Sequence, residues 1–519
     1  MSNKLPLGWA LARIPDLITK DGIFIDGDWV ESKDQDPNGD VRLIQLADIG
    51  DGFFIDKSNR FLSHQKAIEL RCTFLEKGDV LIARMPDPLG RACIFPGDKK
   101  LAVTVVDVCV VRGKNEHFDQ KWLMYFVNSP EFRERINDLQ SGSTRKRISR
   151  GNLSTLQLPV PPRAEQSRVV EKLEESLSCL DVGVAELKAA QKKLVQYRQS
   201  LLKAAVEGAL TAEWRKTHQP EETGAQLLER ILKQRRAHWE AKQLAKFQQQ
   251  DKTPPKGWQD KYPEPVKPDA SDLPELPEGW VWASVDHLLS EIETGKSFKC
   301  EERPPLGGEV GIVKVSAVSW GEYNEQESKT CHDESMIRSD LFVKPGNFLF
   351  SRANTIQLVG ACVIAKSVTK RIMLSDKILR FIFVRDELAV WLLTLLRSEL
   401  GRYHIERFST GNQESMRNIG QERIKQIPVP FPPMSEIQHA TQLLDEANEA
   451  AKAQEIAIVA TLKQSAAQRK NLLKAAFSGQ LVSQDPNDEP ASVLLERIRA
   501  ERAAQALNGK LRKRSTANA

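Results

Sequence analysis

The chain has 519 residues, 40% hydrophobic and 28% charged, with a net charge of +5, which allows two or three soluble domains and is too mild to argue for nucleic acid by charge alone. Its longest apolar run, LAVWLLTLL at 388–396, is far short of the ~20 residues of a membrane span, and the opening MSNKLPLGWA has no secretory pattern, so a cytoplasmic location is expected. Seven scattered cysteines without a CxxC argue for reduced thiols and against a disulfide framework or a structural zinc site.

From the start to about residue 155, short apolar, β-branched stretches alternate with Gly, Pro and Asp turns: VRLIQLADI (41–49), DVLIAR (79–84) and LAVTVVDVCVVR (101–112). These predict strands, with one helix near 120–137. A Pro-Pro hinge at 161–162 leads to Leu173, Leu180, Leu187, Leu194 and Leu201, seven apart, the seam of a long helix. A shorter helical piece covers 221–250, and 251–277, with seven prolines, reads as an extended linker. Strands return with GIVKVSAV (311–318) and ILRFIFV (378–384), then a helix near 387–402. A second long helix over about 435–477 carries Leu444, Ala451, Ile458 and Leu472 in its row, with Ser465 interrupting it, and 488–511 is helical again. The expected domains are 1–160, a helical region 161–250, a linker 251–275, a second globular domain 276–432 and a helical region 433–519.

The two halves are one text written twice. LLKAAVEG (201–208) returns as LLKAAFSG (472–479), 271 positions on. At the same offset LPLGW (5–9) meets LPEGW (276–280), Glu165 meets Glu436 and Arg198 meets Arg469. With small drifts, KGDVLIAR (77–84) parallels KPGNFLFSR (344–352), and SGSTRKRIS (141–149) parallels TGNQESMRNIG (410–420). An internal repeat sets the architecture before any local detail does. The class is α/β (α+β), two globular domains separated by long helices. The leucine-rich and alanine-rich helices suit one another, and ~40 residues make a rod of about 60 Å.

The motifs that come nearest to a site for chemistry are each incomplete. TGKS (294–297) lacks the upstream glycine of a phosphate loop, which would fall at Ser290. FPPM (431–434) lacks the amide or carboxylate with which an amino-methyltransferase grips a flipped base. The histidines form no HExxH, and Cys331-His332 has no second ligand pair nearby. No catalytic residue, resident cofactor or metal is expected.

Binding is better served. Ser143, Thr144, Arg145, Lys146 and Arg147 set hydroxyl donors beside three cations, a composition suited to phosphate. The same place in the second half holds Gln413, Arg417 and Asn418. Arg84 and Arg352 end aligned strands, and Arg352, Asn354, Thr355 and Gln357 offer groups for guanine or adenine edges; a structural ion pair is the competing role for both arginines. Trp9 and Trp280 read as core anchors.

The LPEGW starts, the PGD-type strand, the SGST loop, the Pro-Pro hinge and LLKAA-x-x-G, doubled in one order, resemble the specificity subunit of type I restriction–modification enzymes over essentially the whole chain. The resemblance implies two target-recognition domains, each reading one half of a bipartite, asymmetric double-stranded DNA site. It also implies helices paired as an antiparallel coiled coil with pseudo-twofold symmetry, which set the spacer and dock two methyltransferase subunits. Those partners would bring S-adenosylmethionine for adenine-N6 methylation, and two restriction subunits would bring ATP and Mg for cleavage. The alternatives from the residues are a coiled-coil scaffold whose domains bind protein or another ligand, and a methyltransferase with a degenerate motif.

Overall fold

A computed structural model describes residues 5–517 except Asp87, 143–145 and Glu414; for Asn412 and 508–517 only the backbone is described. The chain forms two compact units, Met1–Lys188 with Ile458–Ala519, and Ala189–Ala457.

In the first unit, strand Ala10–Arg13 pairs antiparallel with Gln157–Val160 and so ties the beginning of the globular part to its end. Between them lies an antiparallel sheet in the order Ile23–Asp26, Val108–Arg112, Val80–Ala83, Ala92–Ile94. A second sheet runs Phe61–Leu62, Val41–Ile44, Leu101–Thr104, the last two parallel. VLIA and VCVV are buried throughout; strands covered on both faces lose the apolar–polar alternation. One face packs on Trp122, Phe126 and Phe132, the other on Ile44, Ile49 and Phe95.

The helix expected near 120–137 is two helices, Gln120–Val127 and Pro130–Asp138. Ser129 is extended, its side chain accepts from Phe132 N, and Pro130 follows as the first helical residue. A proline has no N–H to give the preceding turn, so the helix restarts there. The second half divides likewise into Leu388–Arg397 and Glu399–Phe408, with Ser398 capping Gly401 N.

The second unit repeats the plan. Val281–Ser284 pairs with Pro428–Phe431, each register position 271 beyond its counterpart. Its antiparallel sheet runs Leu289–Thr294, Ile378–Phe383, Phe348–Ser351, Cys362–Ile364. Its mixed sheet runs Ser328–Cys331, Val310–Val313, Arg371–Met373, again with one parallel pair. The Pro-rich stretch forms no strand or α-helix, only turns, among them Trp258–Lys261 and Ser271–Asp272. It is also docked: Arg235 donates to Tyr262 Oη at 2.7 Å and to the Pro263 carbonyl at 2.9 Å, and Trp239 stacks on Trp258.

The long helices are Arg163–Val206 and Met434–Phe477, 44 residues each and in the repeat's register. In the first unit, Leu173 and Leu177 share a core with Leu473 and Phe477, and Asp181 pairs with Arg469. Moving from 177 to 181 moves the partner back from 473 to 469, so these segments run antiparallel. In the second unit, Val206 shares a core with Ile437 and Ala440, and Arg198 pairs with Glu455 at 2.8 Å. Of the leucine row, Leu173 is fully buried, whereas Leu180, Leu187, Leu194 and Leu201 are half-buried. In the opposite row Leu444, Ala451 and Ile458 are buried and Leu472 is half-buried.

Candidate nucleic-acid interface

Arg84 and Arg352 follow buried strands and stand at the same crossing of backbones in the two units. Arg84 O accepts from Ile148 N at 3.0 Å, and Arg352 O from Ile419 N at 2.9 Å. Arg84 N donates to Asp107 O and Arg352 N to Lys377 O, both at 2.9 Å. Each crossing therefore joins a strand end, a β–β loop and a hairpin. The hairpins are Ser141 bridged to Arg147, and Thr410–Gln413 paired with Met416–Asn418. In the second, Gly411 takes φ 141° within its strand, where the register shifts between Thr410 and Gln413, and a Cβ there would lie 2.3 Å from Met416 O, so glycine is required.

The side chains at the two crossings are spent differently. Arg84 is consumed internally: Nε lies 3.3 Å from Asp26 Oδ1, and Nη2 and Nη1 donate to the carbonyls of Val106 at 2.5 Å and Ile148 at 3.4 Å. Arg352 donates Nε to Asn418 Oδ1 at 3.3 Å, which fixes the plane of its guanidinium. Ala353–Asn354 joins the hairpin as a third strand and aligns Asn354 with Arg417. Arg417 Nη1 donates to Gly411 O at 2.7 Å, and Asn354 Oδ1 accepts from Thr355 N at 2.8 Å. Gln413 and Asn418 are exposed, as is Gln357, whose carbonyl accepts from Trp320 Nε1. One small sheet thus gathers Arg352, Asn354, Gln413, Arg417 and Asn418, with Thr355 and Gln357 on the loop that leaves it.

In the first unit Lys146 and Arg147 are exposed on the hairpin, while Ser143, Thr144 and Arg145 lie outside the described residues. Arg150, absent from the sequence-based set, stands beside them, donating to Asp26 and to the Phe24 carbonyl. It continues the basic run RKRISR, a visible signal. Lys377 was also missed, and no linear pattern announces it: the fold alone puts an exposed lysine where the first unit has Asp107. The arrangement offers exposed cations for phosphate and paired donors and acceptors for base edges.

Among the described residues, Glu116, His117 and Glu501 bring three ligand atoms within 4.8 Å of one another. Lys114 Nζ, 3.6 Å from Glu116 and 3.5 Å from Glu501, already holds a cation against both carboxylates.

Residues 6–187 match the model of the type I restriction modification DNA specificity domain. The chain is similar to the type I restriction enzyme EcoEI specificity subunit of Escherichia coli, 25% identical over 408 residues, 70% of this chain and 66% of that one. The EcoKI specificity subunit of Escherichia coli strain K12 is 24% identical over 412 residues, 76% and 74% of the two chains. The fold is shared with a chain from a type I R-M system, at TM-score 0.59 and 15% identity, over 92% of this chain and 99% of that one. It is shared with the HsdS subunit from Thermoanaerobacter tengcongensis at TM-score 0.50, 17% identity and the same coverage. With a doubled fold, the domain model matched over its first part and specificity subunits matched at 24–25% identity along most of its length, the chain is similar to the specificity subunits of type I restriction–modification systems.

Proposed function

We propose that this chain is the DNA-specificity subunit of a type I restriction–modification complex and carries no catalytic site of its own. Each globular domain reads one half of a bipartite, asymmetric double-stranded DNA site. The paired helices set the spacer and dock two methyltransferase subunits, which use S-adenosylmethionine for adenine-N6 methylation. Two restriction subunits, using ATP and Mg, join for cleavage, and the complex works in the cytoplasm.

The observation that carries this reading is the contrast between frame and crossing. The frame recurs in register, from the paired end strands to the 44-residue helices. The crossings differ in the side chains they carry, Asp107 against Lys377 and Lys146-Arg147 against Arg417-Asn418. A chain that reads two unlike half-sites while gripping two identical partners needs that division, since base contacts specify and the rest positions.

The test is a methylation map. The chain is expressed with the methyltransferase encoded beside it in a host lacking other modification, and the DNA is sequenced for N6-methyladenine. A split, asymmetric motif that requires both chains is expected. Methylation by this chain alone would make it the enzyme, and a palindromic motif would overturn the two-domain reading.

A further inference from the structure

Each unit contains a cleft between its globular domain and its pair of helix segments, and the two clefts are built from repeat-related positions. In the first unit a cavity of about 880 Å³ is lined by Arg133, Tyr125, Arg469, Lys470 and Leu473, with Gly52 at its edge. In the second, about 800 Å³ are lined by Arg402, Arg198, Gln199, Leu202 and Trp320, with Gly321 at its edge. Arg469, Lys470 and Leu473 stand 271 positions beyond Arg198, Gln199 and Leu202, and Gly321 and Arg402 stand 269 beyond Gly52 and Arg133. Gly52 and Gly321 share a positive φ, 91° and 128°, so the backbone turns the same way into both clefts.

The repeat-related arginines of both walls are held in place, by partners of different chemistry. Arg133 donates to Asp51 at 2.6 Å, 82 positions apart. At the corresponding positions the Arg402 guanidinium lies 4.9 Å over the Trp320 ring. Across the floor, Arg469 is held by Asp181 and Arg198 by Glu455. Charges lining the second cleft are Arg198, Lys203, Arg397 and Arg402 against Glu399. Those lining the first are Arg133, Arg469 and Lys470 against Asp51 and Asp181. Both clefts are therefore net cationic, with aromatic and aliphatic walls.

A surface retained in both halves, while the reading loops diverge, serves a ligand met twice in the same form. A phosphate backbone would satisfy the charge but gains little from Trp320, Tyr125 and Leu473. A protein segment with acidic side chains along one apolar face satisfies both. We propose that each cleft seats an acidic, amphipathic segment of the modification partner, one copy per cleft; this rests on the two-partner reading above and adds the place and chemistry of the contact.

The test is the stoichiometry of the full chain with the methyltransferase, by sedimentation or native mass spectrometry. Lys470→Glu reverses the net charge lining the first cleft, and Gln199→Glu with Lys203→Glu cancels that of the second; all three side chains are exposed. Each single-cleft variant is expected to keep one partner and bind the other about tenfold more weakly or worse, and the combined variant to lose both. Lys470→Arg should restore the first site, and Lys470→Ala serves if the glutamate form melts early. Two partners at unchanged affinity in the single-cleft variants would overturn the proposal. So would intact two-partner complexes with weakened binding to non-specific DNA, which would assign the clefts to phosphate. If the unaltered chain takes up no partner, the proposed function itself fails, before any variant is made.

Discussion

Trp280 donates its indole N–H to Glu436 at 2.9 Å, and Trp9 donates to Glu165 at 3.1 Å, each across 156 residues. All four side chains are buried, so the first globular residue of each unit is fastened to the first turn of its long helix. A buried carboxylate stripped of its donor carries a desolvation penalty of about 1–3 kcal/mol. Trp9→Phe and Trp280→Phe are each expected to lower stability by about that amount, read as a fall in melting temperature by calorimetry.

The carboxylates differ in their other company. Glu436 also accepts from Thr211 at 2.6 Å and Arg215 at 3.2 Å. Glu165 is held above the usual glutamate range, because burial outweighs the donation from Trp9. A raised folded-state pKa means stability that is full below the unfolded pKa and is lost as pH rises through the folded value. Glu165→Gln keeps an acceptor for Trp9 and removes that loss. The variant should therefore gain melting temperature relative to the parent as pH rises from 4 to 8. Glu436→Gln should lower stability by breaking the Arg215 pair.

Arg84 and Arg352 occupy one position and should behave as different residues. Arg84 is tied to Asp26 and two carbonyls; Arg84→Ala leaves those acceptors unserved and should cost about 1–3 kcal/mol of stability. Arg352, oriented by Asn418, presents its outer edge. Arg352→Ala should leave melting nearly unchanged and relax one base pair of one half-site by about 1–3 kcal/mol. Methylation motifs of the two variants separate these outcomes.

Much of this could be read from the chain itself. The 271-residue offset is visible in LLKAAVEG and LLKAAFSG, and the helices and paired end strands keep it in space. What could not be read was how groups far apart in sequence are spent. Arg84 and Arg352 look alike because nothing local says that Asp26 lies beside one and Asn418 beside the other. Lys377 gives no sign of its place, since only the parallel and antiparallel pairings bring its loop to Arg352. The break at Ser129-Pro130 was legible and competed with the apolar period that runs through it.

Exposed cations on the first hairpin should act through phosphate and not through sequence. Each lost phosphate contact reduces the slope of log K against log salt by about 0.9. Lys146→Ala and Arg147→Ala are each expected to lower that slope by about one and to weaken specific and non-specific DNA alike. A variant that instead changed the methylated motif would place its side chain at a base edge.

The leucine row of the first long helix is graded in burial, and its energetics should be graded too. Leu173 is completely buried in the first unit's core, whereas Leu194 is half-buried. Truncating a fully buried leucine removes its transfer energy and leaves a cavity, together about 2–5 kcal/mol. A half-buried one has less area to lose, and solvent fills the gap. Leu173→Ala should therefore lower stability by about 2–5 kcal/mol and Leu194→Ala by about 1 kcal/mol, measured by urea denaturation of the isolated chain. If bound partners cover the helix near Leu194, the second variant should weaken the complex more than it weakens the free chain. Equal losses in both settings would mean that this stretch of the row serves only the packing of the free chain.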